Sequence, residues 1–188
     1  KFSRFGSPFI GHPNNKLPGI EMNSGSLGHG LPVSVGMALA SKKDNRPSRV
    51  YTVMGDGELA EGSVWEAAMA AANYRLDNLC ATVDRNGLQI SGSTEDVMQL
   101  EELAAKFQAF GWNVIVVKDG NDVEQLKAAY EQAQASKGKP TMVIANTVKG
   151  SGSTVMENKA QWHHKVPTQE EYQQISKDFC ERRESVLQ

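Results

Sequence analysis

The sequence predicts an α/β fold, with a mostly parallel sheet held between helical layers in a three-layer α/β/α arrangement. Three observations predict it. Short apolar runs with polar boundaries recur at residues 50–54, 79–83, 114–117 and 141–145, and each has the length of a buried strand. Segments with helical spacing separate these runs. The first two runs, with residues 63–74 between them, make a strand-helix-strand unit. In a parallel sheet such a unit places both strand ends on one edge, where open α/β sheets bind their ligands.

With 188 residues and 39% hydrophobic content, the chain can form one domain that buries roughly 70% of its unfolded surface. We expect residues 1–188 to be that single domain. A formal net charge of -2, from 20 basic and 22 acidic residues, provides no field for a nucleic-acid backbone or anionic lipid, so neither partner is expected. Cys80 and Cys180 read as free thiols in a reducing compartment, which points to the cytoplasm. No run approaches the ~18 apolar residues of a membrane span, and no signal peptide is visible. Lys1 opens the chain without a methionine, in mid-pattern, so further residues are expected upstream.

Residues 1–30 are rich in Gly, Pro, Ser and Asn and lack periodicity, which reads as a long loop of the kind that is commonly functional. Residues 31–40 are apolar on almost every side, and Pro32 suits a first helical turn, so a buried core helix is expected. Residues 42–49 form a polar connection to the first strand. After that strand, Gly55 and Gly57 flank Asp56. They remove side chains that would keep a bulky anion away, and they tolerate a tight turn. In the next helix Trp65, Ala68, Met69 and Ala72 share one face, and the many alanines permit close helix approach in the core, at a subunit boundary, or both. Glu61 suits the positive end of that helix.

The second strand leads to Asp84 and Asn86. Either residue alone is an ordinary strand-end cap. With Asp56 about thirty positions upstream, the turns bring together a carboxylate, an amide oxygen and main-chain carbonyls. That donor set suits a hard cation such as Mg²⁺, which commonly completes its shell with phosphate oxygens. Residues 87–93 read as a turn-rich loop. Val97, Leu100, Leu103, Ala104 and Phe107 predict one helix face ending at Gly111. Asp122 is placed to cap the following helix, with Val123, Leu126, Tyr130 and Ala133 facing inward. Residues 146–167 lack regular pattern, and Lys149 follows a strand end, where an ammonium could neutralise a diphosphate. Thr168-Gln169-Glu170-Glu171 is a capping box. It opens a last helix with Tyr172, Ile175 and Phe179 on one face and a solvated charged end at 181–184.

Gly55-Asp56-Gly57 followed by Asn86 resembles the thiamine diphosphate motif, and the wording from Gly55 to Ala67 looks specifically like transketolase. Gly11-His12-Pro13, Pro18-Gly19-Ile20-Glu21 and Gly25-Ser26-Leu27-Gly28 resemble the segment of that family that passes through the active site. Lys149-Gly150-Ser151-Gly152 and Trp162-His163 match in order and spacing, so the likeness runs over nearly the whole chain. The resemblance implies a thiamine diphosphate-binding fold. It implies that Asp56, Asn86 and the Leu88 carbonyl hold Mg²⁺, with Ca²⁺ or Mn²⁺ as substitutes. Gly25, Ser26, Leu27, Gly57, Asn86, Ile90, Lys149 and His163 would contact thiamine diphosphate. His12, His163 and Glu61 are the catalytic candidates it implies: His12 at the sugar hydroxyls or in proton shuttling, His163 at the diphosphate or substrate, Glu61 at the interface between active sites. His29 and His164 depart from the family's usual Gln and frequent Gly and receive no role.

Transketolases move a two-carbon ketol unit between sugar phosphates. In that family a second domain grips the cofactor's aminopyrimidine ring and much of the substrate phosphate. The resemblance therefore implies the N-terminal subunit of a split enzyme, or a fragment of a longer one, active only with a C-terminal subunit that carries the pyrimidine-binding domain. A heterotetramer with two of each subunit is expected. Deoxyxylulose-phosphate synthases and dehydrogenase E1 components share the metal motif, but the Gly-His-Pro and Trp-His wording favours transketolase. A non-catalytic assembly subunit is a further alternative. A nicotinamide-binding domain fits poorly, because the glycines read Gly55, Gly57, Gly62 rather than G-x-G-x-x-G, and Asp56 would face a pyrophosphate as a bare carboxylate.

Overall fold

The computed structural model describes Phe2 and residues 4–186. In chain order the elements are α1 (Gly30–Lys43), β1 (Val50–Gly55), a 3₁₀ turn (Gly57–Ala60), α2 (Gly62–Asn73), β2 (Leu79–Arg85), β3 (Leu88–Gln89) and β4 (Gly92–Ser93). They continue with α3 (Thr94–Val97), α4 (Leu103–Ala109), β5 (Asn113–Val117), α5 (Val123–Ala135), β6 (Thr141–Asn146), a second 3₁₀ turn (Ala160–His163) and α6 (Gln169–Val186). The main sheet is parallel throughout, in the order β1-β2-β6-β5. Gly55 pairs with Asp84 and Arg85 with Asn146, so β1, β2 and β6 end along a common edge.

Alternation along the strands sorts the core into two layers. Leu79, Ala81 and Val83 of β2, with Met142 and Ile144 of β6, pack beneath α1, α2 and α4. Cys80, Val143 and Ala145 point the other way and meet Ala129 and Ala133 of α5. Coverage on both faces is why these strands read as unbroken apolar runs. On the first side Phe107 stacks on Trp65 at 5.3 Å and meets Trp112 edge-on at 5.7 Å. The Trp112 indole N–H donates to the Ala68 carbonyl at 2.9 Å, which satisfies the one polar atom of a buried ring. Both cysteines are free. Burial pushes the Cys80 thiol up to about 11, so it stays protonated and inert.

Several expectations are corrected. α1 is not buried all round: Leu31, Ser34, Val35 and Ala38 are covered, while Val33, Gly36, Met37 and Ala40 lie exposed on the opposite stripe. The single helix expected to end at Gly111 is two short ones. Met98 is extended and Glu101 has φ of 47°, which turns the chain between α3 and α4 and leaves Val97 43% exposed. In α5 the sheet-facing stripe starts at Leu126 and runs through Ala129, Tyr130 and Ala133, whereas Val123 in the first turn is exposed. The loop after Asn86 contains the β3–β4 hairpin, and the segment after β6 contains a 3₁₀ turn.

The capping box forms as expected, with Glu171 N–H donating to the Thr168 hydroxyl at 3.2 Å and Thr168 N–H to the Glu171 carboxylate at 2.9 Å. Tyr172 and Phe179 of α6 nevertheless remain exposed. A polar contact also ties the helix to the preceding segment: Asp178 accepts from both the amide and the hydroxyl of Thr154 at 2.8 Å. The Glu184 side chain, at the charged end of α6, lies outside the described residues. Among the described residues no helix is long and apolar enough to cross a membrane.

Candidate functional site

A cavity of about 310 Å³ opens at the common edge of β1 and β2. Its floor is the Gly55-Asp56-Gly57 turn, where the strand ends and the 3₁₀ turn begins. Asp56 is 1% exposed. Its Oδ1 accepts from Gly57 N–H at 2.8 Å, and its Oδ2 accepts from Gly87 N–H at 2.6 Å and from Arg85 Nη1 at 3.0 Å. A Cβ at Gly57 would lie 2.8 Å from the Gln89 Cβ, so this position admits only glycine without displacing β3.

Asn86 stands on the next wall, at the end of β2. Its amide donates to Asp84 Oδ1 at 3.3 Å, and its Oδ1 accepts from Leu88 N–H at 3.0 Å. The Thr147 hydroxyl donates to the same Asp84 oxygen, which ties the end of β6 to this turn. Asp84 thereby acts as an orienting group for the asparagine. Leu88, Gln89, Ile90 and Ser91 of the hairpin form a flank. Leu27 and Ile90, 52% and 61% exposed, give the cavity two apolar side chains at its open side.

Lys149 and His163 line the cavity from the chain after β6. The His163 pKa lies below the ordinary imidazole value, first because it is desolvated, then because Lys149 and His164 place positive charge nearby. The His163 and His164 rings meet edge-on at 4.6 Å. Trp162, whose N–H donates to the Val155 carbonyl at 3.0 Å, anchors the 3₁₀ turn that carries His163.

Of the residues singled out in the sequence, Leu27, Asp56, Gly57, Asn86, Leu88, Ile90, Lys149 and His163 border this one cavity. His12, Gly25, Ser26 and Glu61 do not border it. They sit on or against the loop that carries Leu27. His12 is packed against Gly25 so closely that a Cβ there would fall 2.2 Å from the imidazole Cδ2, and Gly25 has φ of +104°. Glu61 is exposed and is the N-cap residue of α2, without a side-chain capping bond. Its Cβ lies 2.8 Å from where a Cβ on Gly28 would be, so it packs beside the loop that carries Leu27.

Two residues that brace the site were missed by the sequence reading. Glu58 accepts from Gly28 N–H at 2.9 Å and from Gly55 N–H at 3.3 Å, clasping the Leu27 loop to the floor of the cavity. Arg85 pairs with Asp56. For Glu58 the signal was its place within the Gly-Asp-Gly-Glu wording. For Arg85 there was only its position between Asp84 and Asn86.

The donor set fits a hard cation in a restricted way. Among the described residues there is no group of three or more His, Cys, Asp or Glu that could hold a metal. One buried carboxylate, one amide and main-chain carbonyls make too poor a cage for Mg²⁺ unless ligand phosphate oxygens complete it. Lys149 and His163 on the same cavity supply cationic and hydrogen-bonding groups for such an anion.

Comparison with known proteins decides the family. Residues 1–184 match the family described as transketolase, thiamine diphosphate binding domain. The chain belongs to this family. Its fold is accordingly that of transketolases: it superposes on transketolase from Campylobacter jejuni with a TM-score of 0.88 and 30% identity, over 95% of this chain and 29% of that one. Among curated relatives, it is 48% identical to a subunit of the apulose-4-phosphate transketolase of Phocaeicola vulgatus, over 97% of this chain and 64% of the relative. It is 46% identical to the 6-deoxy-6-sulfo-D-fructose transketolase subunit SqwG of a Clostridium species, over 81% of this chain and 55% of the relative. The transketolase-family chain thus spans less than two thirds of the length of these subunits.

Proposed function

We propose that this chain is the cofactor-holding part of an N-terminal subunit of a split transketolase. It transfers a two-carbon ketol unit between sugar phosphates, with thiamine diphosphate and Mg²⁺, when assembled with a C-terminal subunit that carries the pyrimidine-binding domain. The observation that carries this reading is the meeting, in one cavity, of hard-cation donors (Asp56, Asn86), anion-binding groups (Lys149, His163) and apolar flanks (Leu27, Ile90). The relatives named as transketolase subunits support the split arrangement.

Asp56, Asn86 and the Leu88 carbonyl would hold the Mg²⁺, for which Ca²⁺ or Mn²⁺ could stand in. Lys149 and His163 would take the diphosphate. Leu27 and Ile90 would contact the cofactor's rings, and Gly25, Ser26 and Gly57 would line the cofactor. Thiamine diphosphate supplies the carbanion chemistry of ketol transfer when bound. His12, on the loop beside the cavity, would meet substrate hydroxyls or move a proton, and Glu61 would face the partner. These roles are placed in a heterotetramer, two copies of each subunit, in the cytoplasm.

The test is thermal stability with Mg²⁺ and thiamine diphosphate, with and without the C-terminal subunit, beside Asp56→Ala. A ligand that binds only the folded state at a hundredfold excess over Kd adds about 2.7 kcal/mol. The expected result is a metal-dependent shift that is lost in Asp56→Ala, together with ketol transfer only in the mixture. Steady ketol transfer by this chain alone would overturn the split-subunit reading. Absence of any shift would favour a non-catalytic assembly subunit.

A further inference from the structure

Arg85 ends β2, one residue before Asn86, and its side chain is only 18% exposed. Its fork reaches three side chains at once. Nη1 donates to Asp56 Oδ2 at 3.0 Å and to the Thr94 hydroxyl at 2.6 Å, and Nη2 meets the Glu95 carboxylate at 2.5 Å.

The accounting at Asp56 gives this fork a meaning. Oδ2 already takes two donors, Gly87 N–H and Arg85, whereas Oδ1 takes only Gly57 N–H. A carboxylate oxygen accepts about two hydrogen bonds, so Oδ2 is saturated and the acceptor capacity left is on Oδ1. The same guanidinium reaches past the hairpin to the first turn of α3, and Thr94 N–H closes onto the Gly87 carbonyl at 2.9 Å. Arg85 and this backbone bond therefore bracket the segment that carries Asn86 and Leu88.

We infer that Arg85 is a positioning residue for the cation site: it fixes the Asp56 carboxylate through Oδ2, reserves Oδ1 for the metal, and clamps the segment that brings Asn86 and Leu88 alongside. It also gives the buried carboxylate a counter-charge within the chain. The guanidinium holds Oδ2, and a cation would be left the other oxygen of the same carboxylate. This rests on the reading of Asp56, Asn86 and Leu88 as the metal-holding set.

The test uses Mn²⁺ as probe, with thiamine diphosphate, on the full-length protein, followed by titration and by the electron paramagnetic resonance of the bound ion. Arg85→Met is expected to weaken Mn²⁺ about 10–100-fold, the usual loss when an outer-shell partner of a metal ligand is removed, and to alter the bound-ion spectrum. Arg85→Lys keeps a cation for Asp56 but cannot also reach Thr94 and Glu95, so it should recover part of the affinity. Glu95→Gln leaves the contacts with Asp56 and Thr94 in place and keeps an acceptor oxygen for Nη2, so it should bind Mn²⁺ nearly as the parent does. Wild-type affinity in Arg85→Met, or equal losses in Arg85→Met and Glu95→Gln, would overturn the inference while leaving the metal site standing. If Arg85→Met does not fold, Arg85→Lys carries the comparison, and unchanged affinity there counts against positioning. No Mn²⁺ binding by the parent protein would instead sink the reading of the site itself.

Discussion

His163 carries two constraints that pull in the same direction. Desolvation disfavours its charged form, and Lys149 and His164 add to that, so the ring is neutral in the ligand-free site at pH 7. Because its folded pKa is below the unfolded value near 6.5, the unfolded chain binds more protons in the interval between the two. Ligand-free stability therefore rises with pH through that window and is lower on its acid side. An anionic diphosphate beside the ring would reverse the shift. Binding is then expected to take up a proton in the same window, and affinity should increase as pH falls through it. Calorimetric titration in buffers of different ionisation enthalpy measures the uptake, and His163→Gln should remove it. Proton release on binding would contradict the placement of His163 at the anion. At this scale the sequence was informative wherever a residue sits inside fixed wording, as Asp56, Asn86 and His163 do. Arg85 and Glu58 were not legible, because which partner a long side chain reaches depends on strands and loops that are distant in sequence.

Helix ends show how local geometry sets element boundaries. α2 closes with Leu76 N–H on the Ala71 carbonyl at 3.1 Å and Arg75 N–H on the Ala72 carbonyl at 3.0 Å, a Schellman arrangement that requires a left-handed residue after the cap. Arg75 fills that position with φ of 49°. α1 ends the same way, with Arg46 N–H on Ser41 and Asn45 N–H on Lys42, both at carbonyl oxygens. There Asn45 is the left-handed residue, φ 54°. Asparagine tolerates this conformation better than arginine. Arg75→Gly is therefore expected to stabilise the fold by about 1 kcal/mol, while Asn45→Gly should change it by much less. Denaturant titration of both variants decides the point, and equal effects would show that backbone strain at Arg75 is relieved some other way. Helices were legible in the sequence because burial imposes a period of 3.6 on their apolar residues, and strands because burial on both faces leaves short unbroken apolar runs. The break between α3 and α4 was hidden for the same reason: Leu100, Leu103 and Phe107 keep a helical rhythm into the core, while Glu101, a residue with no turn signature, reverses the chain.

Across the whole molecule, the cavity is polar and well braced at its floor but thinly covered at its open side, where Leu27 and Ile90 each leave half or more of their surface to solvent. A cofactor held only by this chain would have its diphosphate and metal fixed and its rings poorly enclosed. Affinity for the isolated chain should then be modest, and a second subunit that covers the rings would raise it. Thermodynamic linkage makes this reciprocal: the factor by which the partner tightens thiamine diphosphate must equal the factor by which thiamine diphosphate tightens the subunit pair. A coupling of about 1–3 kcal/mol, or about 5–150-fold, is the ordinary range. Sedimentation of the two subunits with and without the cofactor and metal gives one side of the cycle. Cofactor titration with and without the partner gives the other. Equal factors above unity are expected. Association that is indifferent to the cofactor would mean that the partner makes no contact with the bound rings, and Leu27 and Ile90 would then need another reason to be exposed at the mouth of the site.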